Sequence, residues 1–241
     1  MRNFLLLLPL CVLLFYACIP VKKGSEKLTK TTINPALNQR KIEKVYHPSK
    51  TKIFDLLHTD LKVTPKWENQ SLEGVAKLIL KPYFYSSDKL VLDAKGMTFS
   101  QVSISTESSI IPLNYEYDSL QLYIELNKEY TSQDTIIIQI GYTAFPNKVV
   151  GNGSSAIKDF KGLYFINPLG RDKVKPRQIW TQGETEASSC WFPTIDSPNE
   201  KCSLKISIVV DSSLVTLSNG VLVSSKLEGA LRIDTWEQKK Q

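Results

Sequence analysis

The chain has 241 residues, 42% of them hydrophobic and 22% charged, which are the proportions of an ordinary globular protein with room for one good-sized domain. Its formal charge of +6 is unevenly placed: residues 21–52 hold nine Lys or Arg against two Glu, so the rest of the chain is close to neutral. A nucleic-acid footprint needs basic residues spread over a folded face, so that class of partner is excluded.

Residues 1–18, MRNFLLLLPLCVLLFYAC, place a single positive charge at Arg2 ahead of an apolar run from Phe4 to Ala17. The run is shorter than the roughly 20 residues of a membrane-spanning helix and fits the core of a secretory signal. Ala17-Cys18 resembles the small residue and cysteine at which bacterial lipoproteins are cut and acylated. The expectation is an exported bacterial protein, held to the membrane in the periplasm or at the cell surface by lipidated Cys18. Plain secretion is the alternative. Residues 19–50 then form a flexible basic tether, too poor in apolar side chains to fold alone. More than one acyl chain anchors firmly where one does not.

From residue 51 the pattern changes. The runs IFDLLHTDLKV (53–63), LEGVAKLILKP (72–82), KLVLDA (89–94), SLQLYIELN (119–127) and DTIIIQIGYTAF (134–145) are short and apolar or alternating. So are KCSLKISIVV (201–210), LVTLSNGVLVSS (214–225) and GALRIDTW (229–236). Each is bounded by Gly, Pro, Asn, Asp or Ser, and no segment sustains a helical period. The pattern predicts an all-β fold over 51–241, an antiparallel β-sandwich or saddle-like multi-sheet domain. NKVVGNGSSAIKDFKG (147–162) reads as a polar loop over a sheet rather than a domain boundary.

The chemistry-bearing residues are few. Cys11 and Cys18 fall in the leader, leaving Cys190 and Cys202 either as two buried thiols or as one bridge. His47 and His58 stand eleven residues apart with no helix between them, so they cannot build the three-ligand set of a zinc hydrolase. No strained nucleophile elbow accompanies His58, which reads as a satisfied strand residue. There is no phosphate loop and no Cys-x-x-Cys.

One segment breaks the β pattern: WTQGETEASSCWFPTID, residues 180–196. Within it Thr181, Gln182 and Glu184 form T-Q-x-E. Phe192, Pro193, Asp196, Pro198 and Lys201 follow as aromatic-Pro-x-x-Asp-x-Pro-x-x-Lys. This signature resembles the N-terminal β domain of the aminopeptidase-N-like zinc metallopeptidases. FKGLYF (160–165), VTLSNGVLVSS (215–225), HTDLKVTPKWENQSLEGVAKLIL (58–80) and LVLDAKGMTFSQV (90–102, read as one strand) extend the resemblance from about Phe54 to Gln241. Where the family often has an arginine shortly after the glutamate, this chain has Ser188-Ser189.

The resemblance implies the substrate-binding domain of an exported zinc aminopeptidase, with peptide N-termini as its ligands. A free α-amino group has a pKa of about 7.7–8.0 and is substantially protonated at neutral pH. By resemblance Glu184 pairs with that ammonium, and Gln182 adds an acceptor beside it. Gly183 lets the backbone approach closely. An internal peptide bond offers no ammonium, so the same carboxylate excludes endopeptidase cleavage. The family's zinc lies in the following domain, on H-E-x-x-H and a more distant glutamate. None of these occurs before the sequence stops at RIDTWEQKKQ. The expectation is a truncated chain, short of the β domain's last strand or two, with no metal or catalytic residue of its own and inactive alone. Its missing partner is the catalytic domain. Such a chain exposes a sheet edge and an apolar face.

Apart from the resemblance, Glu184 and Glu186 read as surface charges, and Asp196 with Pro198 as a turn whose carboxylate caps backbone N–H groups. Trp191 and Phe192 read as core anchors, and Cys190 as structural. The alternative function is a non-catalytic β-sandwich surface lipoprotein that binds glycan or protein. Trp67, Trp180 and Trp236 are its candidate platform where they face solvent.

Overall fold

In the first strand, β1 (Phe54–Lys66), the inward set changes phase partway along. Phe54 and Leu56 are buried, and then Thr59, Leu61 and Val63. The cause is a bulge: Leu56 pairs with Leu80 but His58 with Ile79, leaving Leu57 as the extra residue. An inserted residue moves every later side chain to the opposite face, so apolar residues of both parities reach one core.

The computed structural model describes residues 50–150 and 159–239, of which Lys50 onward clusters as a single unit. The leader with Cys18, the tether as far as residue 49 and part of the polar connection (151–158) lie outside the described residues. The remaining strands are β2 (Ser71–Pro82), β3 (Ser87–Asp93), β4 (Met97–Ser105), β5 (Ile110–Pro112), β6 (Tyr115–Tyr117) and β7 (Gln121–Tyr130). They continue with β8 (Ile136–Ala144), β9 (Leu163–Ile166), β10 (Gln178–Thr181), β11 (Ser203–Asp211), β12 (Val221–Glu228) and β13 (Leu231–Gln238). Two short 3₁₀ turns, Pro146–Lys148 and Ser188–Cys190, are the helical pieces among the described residues.

The strands form an eight-stranded sheet in the order β12-β13-β11-β1-β2-β8-β4-β5, a three-stranded sheet β3-β7-β6 and a ribbon β10-β9. The fold is therefore all-β and multi-sheet, as the alternation predicts. It is antiparallel apart from one contact: β1 runs parallel to β11, with His58 opposite Ser203. A parallel pairing needs a long crossover, and residues between β1 and β11 supply it.

The core lies where the large sheet faces the small one. Leu78 and Leu80 of β2 and Ile136, Ile138 and Ile140 of β8 are sealed from solvent beside Leu90 and Leu92 of β3 and Leu122 and Ile124 of β7. Each such side chain contributes about 1.5–3 kcal/mol of burial.

Two strand expectations change. The run 90–102 is two strands in different sheets, because the chain turns at Ala94–Gly96 to leave the small sheet for the large one. The run 214–225 is strand only from Val221. Val215 and Leu217 precede it in a loop and are exposed. β12 ends the large sheet and shows Val221, Leu222, Val223 and Leu227 to solvent, an apolar edge with no partner strand among the described residues.

Candidate functional site

The T-Q-x-E segment leaves the β10-β9 ribbon. Thr181 is the last residue of β10 and pairs with Leu163 of β9. The Gln182 N–H then donates to the Gly162 carbonyl at 2.9 Å. Beyond this the strand is not continued. Residues 184–187 turn, closed by the Ala187 N–H donating to Gly183 O at 3.0 Å, and the 3₁₀ turn Ser188–Cys190 follows. The alternation that sets residues i and i+2 on one side of an extended chain therefore stops before Glu184.

Gly162 is the pivot. Its φ is +69°, and a β-carbon there would lie 1.9 Å from the Ala187 carbonyl oxygen and 3.0 Å from Cys190 Cβ. The FKGLYF strand and the T-Q-x-E turn touch backbone to backbone at a point where only glycine fits. Gly183 is also confined, with Ser188 Oγ 2.7 Å from where its β-carbon would be. Gln182 is half-buried and Glu184 is exposed, and the peptide between Glu184 and Thr185 is cis.

Two distant segments fix the turn from beneath. Lys95, at the β3–β4 corner, donates from Nζ to the Glu186 carbonyl at 2.5 Å and lies 4.7 Å from the Phe160 ring centroid. Its own N–H donates to Ser189 O at 2.7 Å. The Ser189 N–H donates to Asp196 Oδ2 at 2.8 Å, and the Asp196 N–H to Asp93 Oδ2 at 3.0 Å. The Asp196 carboxylate thus caps a backbone N–H, but that of the 3₁₀ turn seven residues upstream rather than one in its own turn with Pro198. Burial pushes its carboxyl above the ordinary range, against hydrogen bonding from Ser189 and the charge of Lys95. Lys95 is the cation that sequence reading missed; 91 residues separate it from Glu186, and no local pattern joins them.

The aromatic residues divide. Trp191 and Phe192 pack edge to face at 4.4 Å against the core, as anchors. Trp236 is partly buried and donates from Nε1 to Thr216 Oγ1 at 3.0 Å. Trp67 is half-buried, with the Arg177 guanidinium 4.5 Å from its ring centroid. Trp180 is 41% exposed and stacked on Tyr164 at 4.4 Å and 12° between planes, two residues before Gln182.

The other reactive residues are structurally engaged. Cys190 is sealed from solvent, and Cys202 is half-buried 3.7 Å from Thr59 Oγ1; both are free thiols, so the bridge is not formed. Burial raises both thiols, that of Cys190 to about 11. His58 Nδ1 lies 2.7 Å from Ser203 Oγ, whose hydroxyl donates to Leu57 O at 3.2 Å. Among the described residues no three His, Cys, Asp or Glu side chains converge as metal ligands, and His58 is held by a serine rather than by acidic groups. The described residues do not fit a zinc ion.

Comparison with known proteins places this geometry. The family described as the Peptidase M1 N-terminal domain matches residues 55–241. The M1 zinc metallopeptidase from Deinococcus radiodurans superposes with a TM-score of 0.65 at 17% identity, covering 77% of this chain and 39% of that one. A variant of an M1 zinc metallopeptidase from the same organism, bound to a Tyr-Ser-Ala substrate, gives a TM-score of 0.60 at 15% identity, covering 77% and 39%. Transcription initiation factor TFIID subunit 2 of Danio rerio is 23% identical over 200 residues, covering 70% of this chain and 16% of its own length. The chain thus spans well under half of the proteins it resembles. The family match runs from Asp55, the second residue of β1, through β13, T-Q-x-E turn included, and the chain belongs to the Peptidase M1 N-terminal domain family.

Proposed function

We propose that this chain is the substrate-binding domain of an exported zinc aminopeptidase. Glu184 receives the free α-ammonium of a peptide, while a separate module supplies zinc and cleaves the bond. The observation that carries this reading is the exposed Glu184 carboxylate. It sits on a turn whose neighbours are pinned by Gln182–Gly162 and Ala187–Gly183 backbone hydrogen bonds. The carboxylate projects from a rigid base, so little order is lost when an ammonium docks. The related Deinococcus radiodurans structure with a Tyr-Ser-Ala substrate supports a peptide as ligand. The exposed apolar residues Val215, Leu217, Val221 and Leu227 are the surface we assign to contact with the peptidase module.

A charged hydrogen bond to an ammonium is worth about 1.5–3 kcal/mol, and solvent exposure of Glu184 favours the lower end. The test is calorimetric titration of the chain with a short alanyl peptide amide and its N-acetylated counterpart, alongside the Glu184→Gln variant. The expected result is preference for the free amine, lost about 10-fold in the variant. Equal binding of both peptides, unaffected by the substitution, would overturn the reading.

One observation favours a second reading, a non-catalytic surface binder. Trp180 on Tyr164 is a solvent-facing aromatic pair, and stacked rings are suited to glycan faces. The zebrafish relative is named as a transcription factor subunit rather than a peptidase. Oligosaccharide titration followed by tryptophan fluorescence, with Trp180→Ala as control, separates the two.

A further inference from the structure

Among the described residues, Glu184 and Thr185 make no backbone–backbone hydrogen bond, so the residues on either side of them set where the Glu184 carboxylate stands. Two ties are local, the Gln182 N–H to Gly162 O and the Ala187 N–H to Gly183 O. The others come from one distant residue. Lys95 Nζ donates to the Glu186 carbonyl at 2.5 Å, and the Lys95 N–H donates to Ser189 O at 2.7 Å. A single lysine therefore holds the turn at two points, two and five residues past Glu184.

The anchor is itself braced. Lys95 stands at the corner where the chain leaves β3 for β4, and its neighbours are bonded toward both sheets. On the small-sheet side the Ala94 N–H donates to Leu120 O at 2.8 Å and the Gly96 N–H to Ser119 O at 3.1 Å, just ahead of β7. On the large-sheet side the Phe145 N–H, directly after β8, donates to Gly96 O at 2.9 Å. Asp93 and Thr194 exchange both N–H···O bonds, at 2.8 and 3.0 Å, which joins the segment following the turn to the same corner. The ammonium also lies 4.7 Å from the ring centroid of Phe160, two residues before Gly162.

We propose that Lys95 is a positioning residue for ammonium recognition: its bond to the Glu186 carbonyl sets the direction in which Glu184 projects, and so sets how strongly a free α-amine is preferred. This rests on the reading of Glu184 as the partner of that amine. A carboxylate on a loosely held turn must be ordered when its ligand docks, and that cost subtracts from affinity. A charged hydrogen bond made beforehand, from a corner braced by two sheets, removes it.

The test measures two quantities in the full chain. One is the ratio of affinities for a short alanyl peptide amide and its N-acetylated counterpart; the other is amide hydrogen exchange at Ala187, inside the turn. Lys95→Met keeps an apolar stem and removes the donor. The expected result is a ratio lowered about 5-fold, within the roughly 10-fold that Glu184 supplies, with faster exchange at Ala187. Lys95→Arg, which donates to the same carbonyl, should restore both. In a Glu184→Gln background Lys95→Met should leave the ratio where it is, because nothing remains to be positioned. A loss of global stability alone would not produce this pattern. Should Lys95→Met fail to fold, Lys95→Gln, one bond shorter than lysine, makes the same comparison. If Glu184→Gln removes the amine preference but Lys95→Met leaves ratio or exchange unchanged, or Lys95→Arg is as damaging as Lys95→Met, the proposal is overturned and the role of Glu184 stands. A preference that Glu184→Gln does not alter overturns both.

Discussion

Replacing Gly162 by alanine should be among the most damaging single-methyl changes in this domain, and the structure allows its cost to be divided. At φ +69° an L-residue pays about 1–3 kcal/mol for the left-handed conformation. The new methyl would then sit 1.9 Å from the Ala187 carbonyl oxygen, whereas ordinary contact begins at 3.4 Å, so that backbone must retreat by about 1.5 Å. Ala187 is tied to Gly183 O through its N–H and to the Cys190 N–H through its own carbonyl, so the retreat drags the whole 183–190 turn. A buried backbone clash of this kind adds a further 2–3 kcal/mol, giving about 3–6 kcal/mol for Gly162→Ala. Gly229→Ala isolates the conformational part: its φ is +63°, but no atom lies within 4 Å of the position of the new methyl. It should cost about 1–2 kcal/mol. Urea unfolding of the two variants against wild type measures the difference. At roughly 2–4 °C per kcal/mol for a domain of this size, thermal melts should separate them visibly. A Gly162→Ala variant no less stable than Gly229→Ala would refute the claim that the two segments pack backbone to backbone at this point.

Three more outcomes are expected. The Tyr142 hydroxyl is buried without a hydrogen-bond partner among the described residues, and burial pushes its ionisation upward; Tyr142→Phe should therefore raise stability by about 1 kcal/mol in urea unfolding. Because Asp196 has a raised pKa in the fold, ionising it costs the native state: its stabilising contribution is present at low pH and is lost as pH rises from the unfolded value near 3.9 through the higher folded one. Asp196→Asn keeps an acceptor for the Ser189 N–H but cannot ionise, so its stability relative to wild type should climb over that window and then level off; a relative fall with rising pH would contradict the assignment. With Cys190 pushed up to about 11, roughly one thiol in a thousand is ionised at pH 8, so alkylation followed by peptide mass spectrometry should find it unmodified until the chain is unfolded.

Local sequence pattern carried the composition of the fold and pointed to a candidate site. Period-2 alternation is a local property of the backbone, so the inward residues of β2, β7 and β8 were legible without a structure. Gln182, Gly183 and Glu184 became candidates because they match a family motif, whereas the turn sequence at Asp196 did not show that its carboxylate reaches back seven residues to the Ser189 N–H.

What tertiary structure alone decided is pairing and proximity. The bulge at Leu57 reverses the phase of β1 because β2 holds the register on both sides of it. Ala94–Gly96 splits one apolar run between two sheets, and β1 finds a parallel partner in β11 across the chain. Lys95 and Asp93 reach the 184–196 turn from about a hundred residues away, and the contact of Gly162 with Ala187 is set by how two loops meet. Local pattern carries only which face a side chain takes. Which strand lies beside which follows from the long-range contacts that together bury one core, and no window of neighbouring residues contains them.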